Sequence, residues 1–186
     1  TKKIILKNKK KKTFIKAFTH KSSSEHMPGP KVINAFIFGY SKLTKPHDFI
    51  FKLDADLILP AKYFQSVIDA FSNPKIGIVG GVLVELSKKG TWEDAHPMKN
   101  SHVRGGLKAY SIKCYKKIGG LIPEMGWDTI DEILANYHGY KVKVLNNEKV
   151  LALLDQCELA GPDVPDCNME MLEFMGLPKF FAKKLL

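Results

Sequence analysis

The sequence predicts an α/β fold, a mixed sheet flanked by helices. Three observations carry this expectation. Segments with helical spacing alternate with short apolar, strand-like runs along most of the chain. The helical segments begin and end at Pro and Gly, the residues that punctuate helices. Two runs, "DFIFKLDAD" (48–56) and "IGIVGGVLVEL" (76–86), have the composition of strands.

In order, residues 1–12 read as part of a Lys-rich helix, and "TFIKAF" (13–18) as a short strand. "THKSSSEHMPGP" (19–30) is loop chemistry. From Pro30, Val32, Ile33, Phe36, Ile37, Tyr40 and Leu43 fall at helical spacing, with Pro30 in the first turn. "DFIFKLDAD" is a buried strand. Pro60 opens a second helix with Tyr63, Phe64, Val67, Ile68 and Phe71 on one face, stopped by "SNP". "IGIVGGVLVEL" is a strand and "KKG" its turn. "AYSIKCYKKIGG" (109–120) reads as a strand leading into a short helix that ends at Gly119. Ile130, Ile133, Leu134 and Tyr137 mark a helix from Asp128 to His138, closed by Gly139, and "KVKVL" (141–145) is a strand. Residues 1–150 are read as one domain. Residues 151–186 form a C-terminal loop and helical segment, in which "NMEMLEFMG" is helical and "KFFAKKLL" is short, basic and amphipathic.

Composition excludes several classes. With 186 residues, 45% of them hydrophobic and 26% charged, the chain suits a soluble domain with a real core. No apolar run reaches 18 residues, so no membrane span is expected. No signal peptide is read at the start. Cys114, Cys157 and Cys167 are odd in number and lack metal-site spacing, which favours free thiols in a reducing, cytoplasmic compartment. Nine of the 29 basic residues lie in residues 1–21, which hold no Asp or Glu; the rest of the chain carries 20 basic against 19 acidic residues. The net charge of +10 thus belongs to one end. Arg104 is the only Arg, which argues against base-reading nucleic-acid contacts.

The chemistry-bearing motif is Asp54-Ala55-Asp56. Residues two apart on a strand share a face, and ligands of open α/β sheets sit beyond the carboxyl ends of strands. Two carboxylates there can hold a divalent cation through oxygen ligation, which would neutralise charges set in an apolar run. The alternative is a pair of solvated residues at the strand end, with Asp56 capping the next element. A second acidic group lies in "MGWDTIDE", with Asp128, Asp131 and Glu132. Asp128 reads either as a helix N-cap with Asp131 at the box position or as a general base acting by orientation and late proton transfer. Trp127 offers a flat face for a sugar, or packs in the core.

These segments together resemble glycosyltransferase family 2, the inverting enzymes with the GT-A fold. "GPKVINAFIFGY" (29–40) is similar to the helix before the family's D-x-D strand, and "FKLDADLILPAKYF" (51–64) to its metal-binding segment. "HVRGGLKAYSIKCYKKIGGL" (102–121) is similar to the small-residue segment ending in paired Gly, and "GWDTIDEILANYHGYKV" (126–142) to the acidic segment followed by a helix and "GY-V". The resemblance covers residues 13 to 148. It implies a GT-A-like (Rossmann-like) sheet and transfer of a sugar from a nucleotide-diphosphate donor to a saccharide or lipid-linked acceptor hydroxyl, as in polysaccharide biosynthesis. Mn²⁺ or Mg²⁺ would be held by Asp56 and Asp54, and Asp128 would stand at the base position. His102 and Arg104 would lie near the donor sugar or diphosphate, Lys31 and Asn34 would face the nucleotide, and Trp127 would face substrate. No nucleic acid is implied; the amphipathic "KFFAKKLL" segment reads either as a peripheral contact with the inner face of a membrane or as a cap on the core.

The sequence also departs from the family. Trp127 stands where an acidic residue usually precedes the base, and "LALLDQCELAG" has no His or Arg to meet a diphosphate. The family's opening strand, helix and "DDGS"-like strand end have no counterpart, so an N-terminally truncated domain is expected. Two other classes fit parts of the pattern. A D-x-D phosphatase would use Asp54 as nucleophile and Asp56 as acid, but has Thr or Val where this chain has Ile58. An inactive remnant, or an anion-binding module using the Lys-rich end, needs no catalysis.

Overall fold

The computed structural model describes residues 2–21, 29–86, 91–94 and 102–152. The expected turn at "KKG" and the C-terminal segment from residue 153 lie outside them. The chain divides into two units, one of them Ser22–Ala152 and the other including Thr1–Lys21.

In the second of these, α1 (Lys2–Lys11) is the expected Lys-rich helix, with Lys9, Lys10 and Lys11 in its last turn, where cations suit the helix dipole. The expected strand at 13–18 does not form: a turn follows the helix and the rest is irregular. Phe14 and Phe18 stay exposed, and no neighbouring strand among the described residues takes up this backbone. Alternation of apolar residues cannot make a strand without a ladder to join.

In Ser22–Ala152, the order is α2 (Pro30–Tyr40), β1 (Phe49–Leu53), β2 (Leu57–Ile58), α3 (Tyr63–Ala70), β3 (Ile76–Leu86), β4 (Trp92–Asp94), β5 (Leu107–Ser111), α4 (Ile112–Lys117), α5 (Trp127–Tyr137) and β6 (Lys141–Ala152). Six strands form one mixed sheet in the order β1-β5-β3-β6-β2, with β4 beside the far end of β3. Only β3 and β6 are parallel; the other pairings are antiparallel.

The two faces of the sheet differ, and the period of two explains how. In β1, Phe49 and Phe51 face α3, stacking on Phe71 and meeting Phe64 edge-on. Ile50 and Lys52 point the other way and are buried. Their cross-strand partners are Tyr110 and Lys108. This second face is covered by α5, whose Asp131 meets both Lys108 and Tyr110, and by α4 and α2, whose Tyr115, Phe36 and Tyr40 cluster beside Tyr110. In α3 the buried residues are Tyr63, Val67 and Ala70. Phe64 and Ile68, expected on the same face, are more than one-third exposed. Pro60 lies one turn ahead of this helix rather than inside it, its carbonyl accepting from the Tyr63 amide.

β3 is buried along most of its length because it has sheet neighbours on both sides. Its glycines let other chain segments come close. A side chain at Gly77 would reach Cys114 Sγ at 2.5 Å, and one at Gly80 would collide with Val103. β6 runs well past the expected Leu145. Register jumps from Gly81↔Leu145 to Val82↔Lys149, so residues 146–148 bulge out of the ladder before pairing resumes. Ser66 holds the bulge by donating to Glu148 Oε1 at 2.5 Å. Among the described residues, no helix is long and apolar enough to cross a membrane.

Tyr63 ties this region together: its hydroxyl donates to the Leu107 carbonyl at 3.1 Å and accepts from the Gly81 amide at 3.3 Å. Burial pushes its phenol up to about 12, so it stays a donor at any ordinary pH. A methyl group at Gly81 would strike the Glu148 carbonyl, a backbone atom with nowhere to go. Gly81→Ala is therefore expected to lower unfolding free energy by about 1–3 kcal/mol, read from urea denaturation, whereas Gly39→Ala, in open space on α2, should be neutral or slightly stabilising.

Candidate functional site

β1 ends at Leu53, and Asp54, Ala55 and Asp56 lie in the turn beyond it. The period-two rule therefore does not apply to Asp54 and Asp56. Nor is Asp54 a buried charge: its side chain is 43% exposed. Its carboxylate Oδ1 accepts from the Lys52 ammonium. Asp56 is half-buried. The buried charge at this strand end is the lysine, 4% exposed and lying 5.2 Å from the centre of the Trp127 ring.

Directly opposite Lys52 in the ladder is Lys108, fully buried. Like charges facing each other across a strand pair repel, and two buried ammonium groups need carboxylates. Helix α5 supplies them. Lys108 Nζ donates to Asp131 Oδ1 at 2.8 Å, lies 3.0 Å from Glu132 Oε1, and also donates to the Asp128 carbonyl. Asp131 accepts a second bond from the Tyr110 hydroxyl at 2.5 Å. Glu132 accepts from the Val103 amide at 2.9 Å and pairs with His102 Nδ1 at 3.0 Å. Trp127 stacks below both ammonium groups, 5.8 Å from that of Lys108.

This arrangement overturns the capping-box expectation. The N-cap is Gly126, whose φ of 78° suits glycine, and Trp127 is the first helical residue. Asp128 sits one position inside the helix, and Asp131 is committed to the core. The Asp128 carboxylate makes no hydrogen bond or ion pair among the described residues. Trp127, at 7% exposure, has almost no open face for a sugar; the core-packing alternative describes it.

The segment His102–Leu107 joins the two halves of the site. A side chain at Gly105 would meet the Trp127 ring at 2.6 Å and Asp128 Cβ at 3.1 Å, while one at Gly106 would meet Asp54 Oδ2 at 2.8 Å. The Asp54 amide donates to the Gly106 carbonyl at 2.8 Å. Two adjacent glycines thus run between Asp54 at the strand end and Asp128 at the helix start: a side chain at Gly105 would strike the buried Trp127 ring, and one at Gly106 would push the Asp54 carboxylate aside. Arg104, half-buried, lies in the same segment. Lys31 and Asn34 lie on the first turns of α2, whose leading Gly29 abuts Glu124 and Met125 just ahead of α5. Neither makes a hydrogen bond or ion pair with the site's carboxylates.

The residues missed from sequence are Lys52, Lys108, Asp131 and Glu132 as one buried network. The signal was present. In "FIFKL" and "LKAYS" each lysine shares its strand face with a large apolar residue, Ile50 or Tyr110, so period two already places it inward.

Could a divalent cation be held here? Among the described residues, no group of three or more His, Cys, Asp or Glu is placed to form a metal cage. Two carboxylates at an open turn suit the other mode, in which one or two protein oxygens are completed by substrate phosphates. The donor set fits that mode.

No family model matches the sequence, and no curated protein sequence matches it. Solved structures do. A mannosyltransferase from Pyrobaculum calidifontis, determined with GDP-Man and Mn²⁺, is 13% identical with a TM-score of 0.57; the match covers 98% of this chain and 59% of that one. GalNAc-T7 with UDP, GalNAc and Mn²⁺ matches at a TM-score of 0.49 and 14% identity, covering 64% of this chain and 30% of that one. A197 from STIV matches at 0.43 and 16%, covering 68% and 66%. The chain thus spans about three-fifths of the length of the mannosyltransferase.

Burial pushes the Asp131 carboxyl above its usual 3.8, against the opposing pull of Lys108 and Tyr110. The folded state therefore holds this proton more tightly than the unfolded chain. Its contribution to stability is complete below pH 3.8 and declines as pH rises through the higher folded-state value. Asp131→Asn should accordingly cost more stability near pH 4 than at neutral pH in urea melts. Glu132→Gln, which breaks a pair with buried Lys108, should cost about 3 kcal/mol at neutral pH. The fold that frames these residues, a mixed sheet flanked by helices, is GT-A-like.

Proposed function

We propose that this chain belongs to a metal-assisted, inverting glycosyltransferase resembling family 2, which moves a sugar from a nucleotide-diphosphate donor to an acceptor hydroxyl. The observation that carries the reading is the Gly105–Gly106 passage, which sets Asp54 and Asp128 on either side of one glycine pair. A reaction that needs a phosphate-side acid and a separate proton acceptor would use two such carboxylates.

In this reading Asp56 and Asp54 would hold Mn²⁺ or Mg²⁺ together with the donor diphosphate, and such a cation would supply Lewis-acid stabilisation of the leaving group. Asp128 takes the proton of the acceptor hydroxyl as that oxygen forms a bond to the anomeric carbon. The bond from that carbon to the diphosphate oxygen breaks, and its electron pair leaves with the nucleotide diphosphate. A single displacement inverts the anomeric centre. Arg104 and His102 serve the phosphate and sugar side, with His102 oriented by Glu132. Lys31 and Asn34 serve the nucleotide side. Acceptors are saccharides or lipid-linked saccharides.

A second reading rests on α1, whose Lys7, Lys9, Lys10 and Lys11 are all exposed with no acidic residue in the helix. Such a helix suits an anionic surface. Salt-sensitive retention on heparin without any nucleotide-diphosphate binding would favour that reading.

Asp128→Asn should reduce sugar transfer by about 10²–10⁴-fold while leaving nucleotide-diphosphate binding intact by calorimetry. Unchanged turnover would remove Asp128 from the mechanism. Asp56→Ala should abolish the Mn²⁺-dependent part of UDP or GDP binding; metal dependence identical to wild type would remove Asp56 from the cation site.

A further inference from the structure

Lys52 is the unexpected component of the candidate phosphate site. Its ammonium is buried, and its carboxylate partner is Asp54, an expected cation ligand. Among the described residues it pairs with no second carboxylate. Asp131 is held by Lys108 and Tyr110; Glu132 is held by Lys108, His102 and the Val103 amide. The neighbour directly across the ladder is another cation, Lys108. The remaining contact is the Trp127 ring, which eases a cation's burial but carries no charge.

From this geometry we infer that Lys52 is the resident counter-ion of Asp54, and that it makes binding of a divalent cation and of a diphosphate depend on each other. The inference rests on the proposed transferase site. A bare cation approaching Asp54 meets an ammonium already there, and taking the carboxylate would leave Lys52 buried and unpaired beside Lys108. A diphosphate brings the missing negative charge. It completes the cation's oxygen shell and accepts the Lys52 ammonium that Asp54 gives up. Lys52 is thus a positioning residue that discriminates against empty metal loading.

The test is Mn²⁺ binding without nucleotide, followed by electron paramagnetic resonance of free Mn²⁺ and by calorimetry. Lys52→Met removes the competing charge, so bare Mn²⁺ should bind about fivefold more tightly than to wild type. Lys52→Arg, which keeps the charge, should bind it as wild type does. With Mn²⁺ saturating, UDP or GDP should bind Lys52→Met more weakly than wild type. Should the Met variant fail to fold, Lys52→Gln keeps an N–H donor toward Asp54 without the charge and answers the same question. Bare Mn²⁺ affinity equal to or below that of wild type in the neutral variant overturns the inference, as does absence of Mn²⁺ binding in every variant. A gain in Mn²⁺ affinity with no nucleotide-diphosphate binding by any of the proteins would keep Lys52's role at Asp54 and sink the transferase reading instead.

Discussion

Two lysines placed opposite each other on a buried sheet face are the constraint on which the rest of this structure depends. Lys52 and Lys108 face one another across the β1–β5 ladder. Burying one ammonium group demands a partner; burying two side by side demands an organised set of them. Each feature around them answers that demand. Asp54 comes directly after β1 and takes Lys52. Helix α5 begins over the pair with an indole, then presents Asp131 and Glu132 one turn later. Tyr110 and His102 occupy the oxygens Lys108 leaves over, and the Val103 amide shares Glu132 Oε1 with it.

Such a network is poor evidence for stability, because well-packed apolar residues of similar size often serve as well or better. Its effect is better sought in registration. Slipping β1 by one residue would turn Lys52 away from Trp127 and onto the face where Phe49 and Phe51 meet Phe71 and Phe64. Sliding α5 along the sheet would part Lys108 from both acids. The charges therefore pin β1, β5 and α5 to one mutual arrangement. That arrangement brings the strand end, the glycine pair and the helix start together.

Much of this fold is legible in the sequence because local signals and tertiary burial agree. "IGIVGGVLVEL" is β3 from its first residue to its last, and Pro30 opens α2 where expected. The differences fall where tertiary partners decide. "TFIKAF" has the residues of a strand but no ladder. Asp128 and Asp131 have the spacing of a capping box, yet Gly126 with its left-handed backbone starts the helix, and Lys108 recruits Asp131. β4, three residues long, has too little pattern to read. In the site, the two acidic segments are readable at sight, whereas the lysines that decide their chemistry show only through the period of two in their strands. An apolar run around Asp54 suggests a buried carboxylate, whereas the buried charge is the lysine two residues before it.

Burial and bonding separate the three acids of "WDTIDE". Asp131 and Glu132 lie on the sheet-facing side of α5, are 2% and 6% exposed, and carry five of the network's contacts between them. Carboxylates so buried cannot turn toward a substrate without unpairing a buried cation, which is strongly unfavourable. Asp128 is a neighbour in sequence but not in circumstance. It contributes its main-chain carbonyl to Lys108 and keeps its carboxylate half-exposed beside Gly105. The fold thereby divides one acidic segment into residues that hold Lys108 through their carboxylates and a residue whose carboxylate stays outside those contacts. A reaction that draws on Asp128 leaves the contacts of Lys108 with Asp131 and Glu132 intact, whereas one that drew on Asp131 or Glu132 would have to dismantle them.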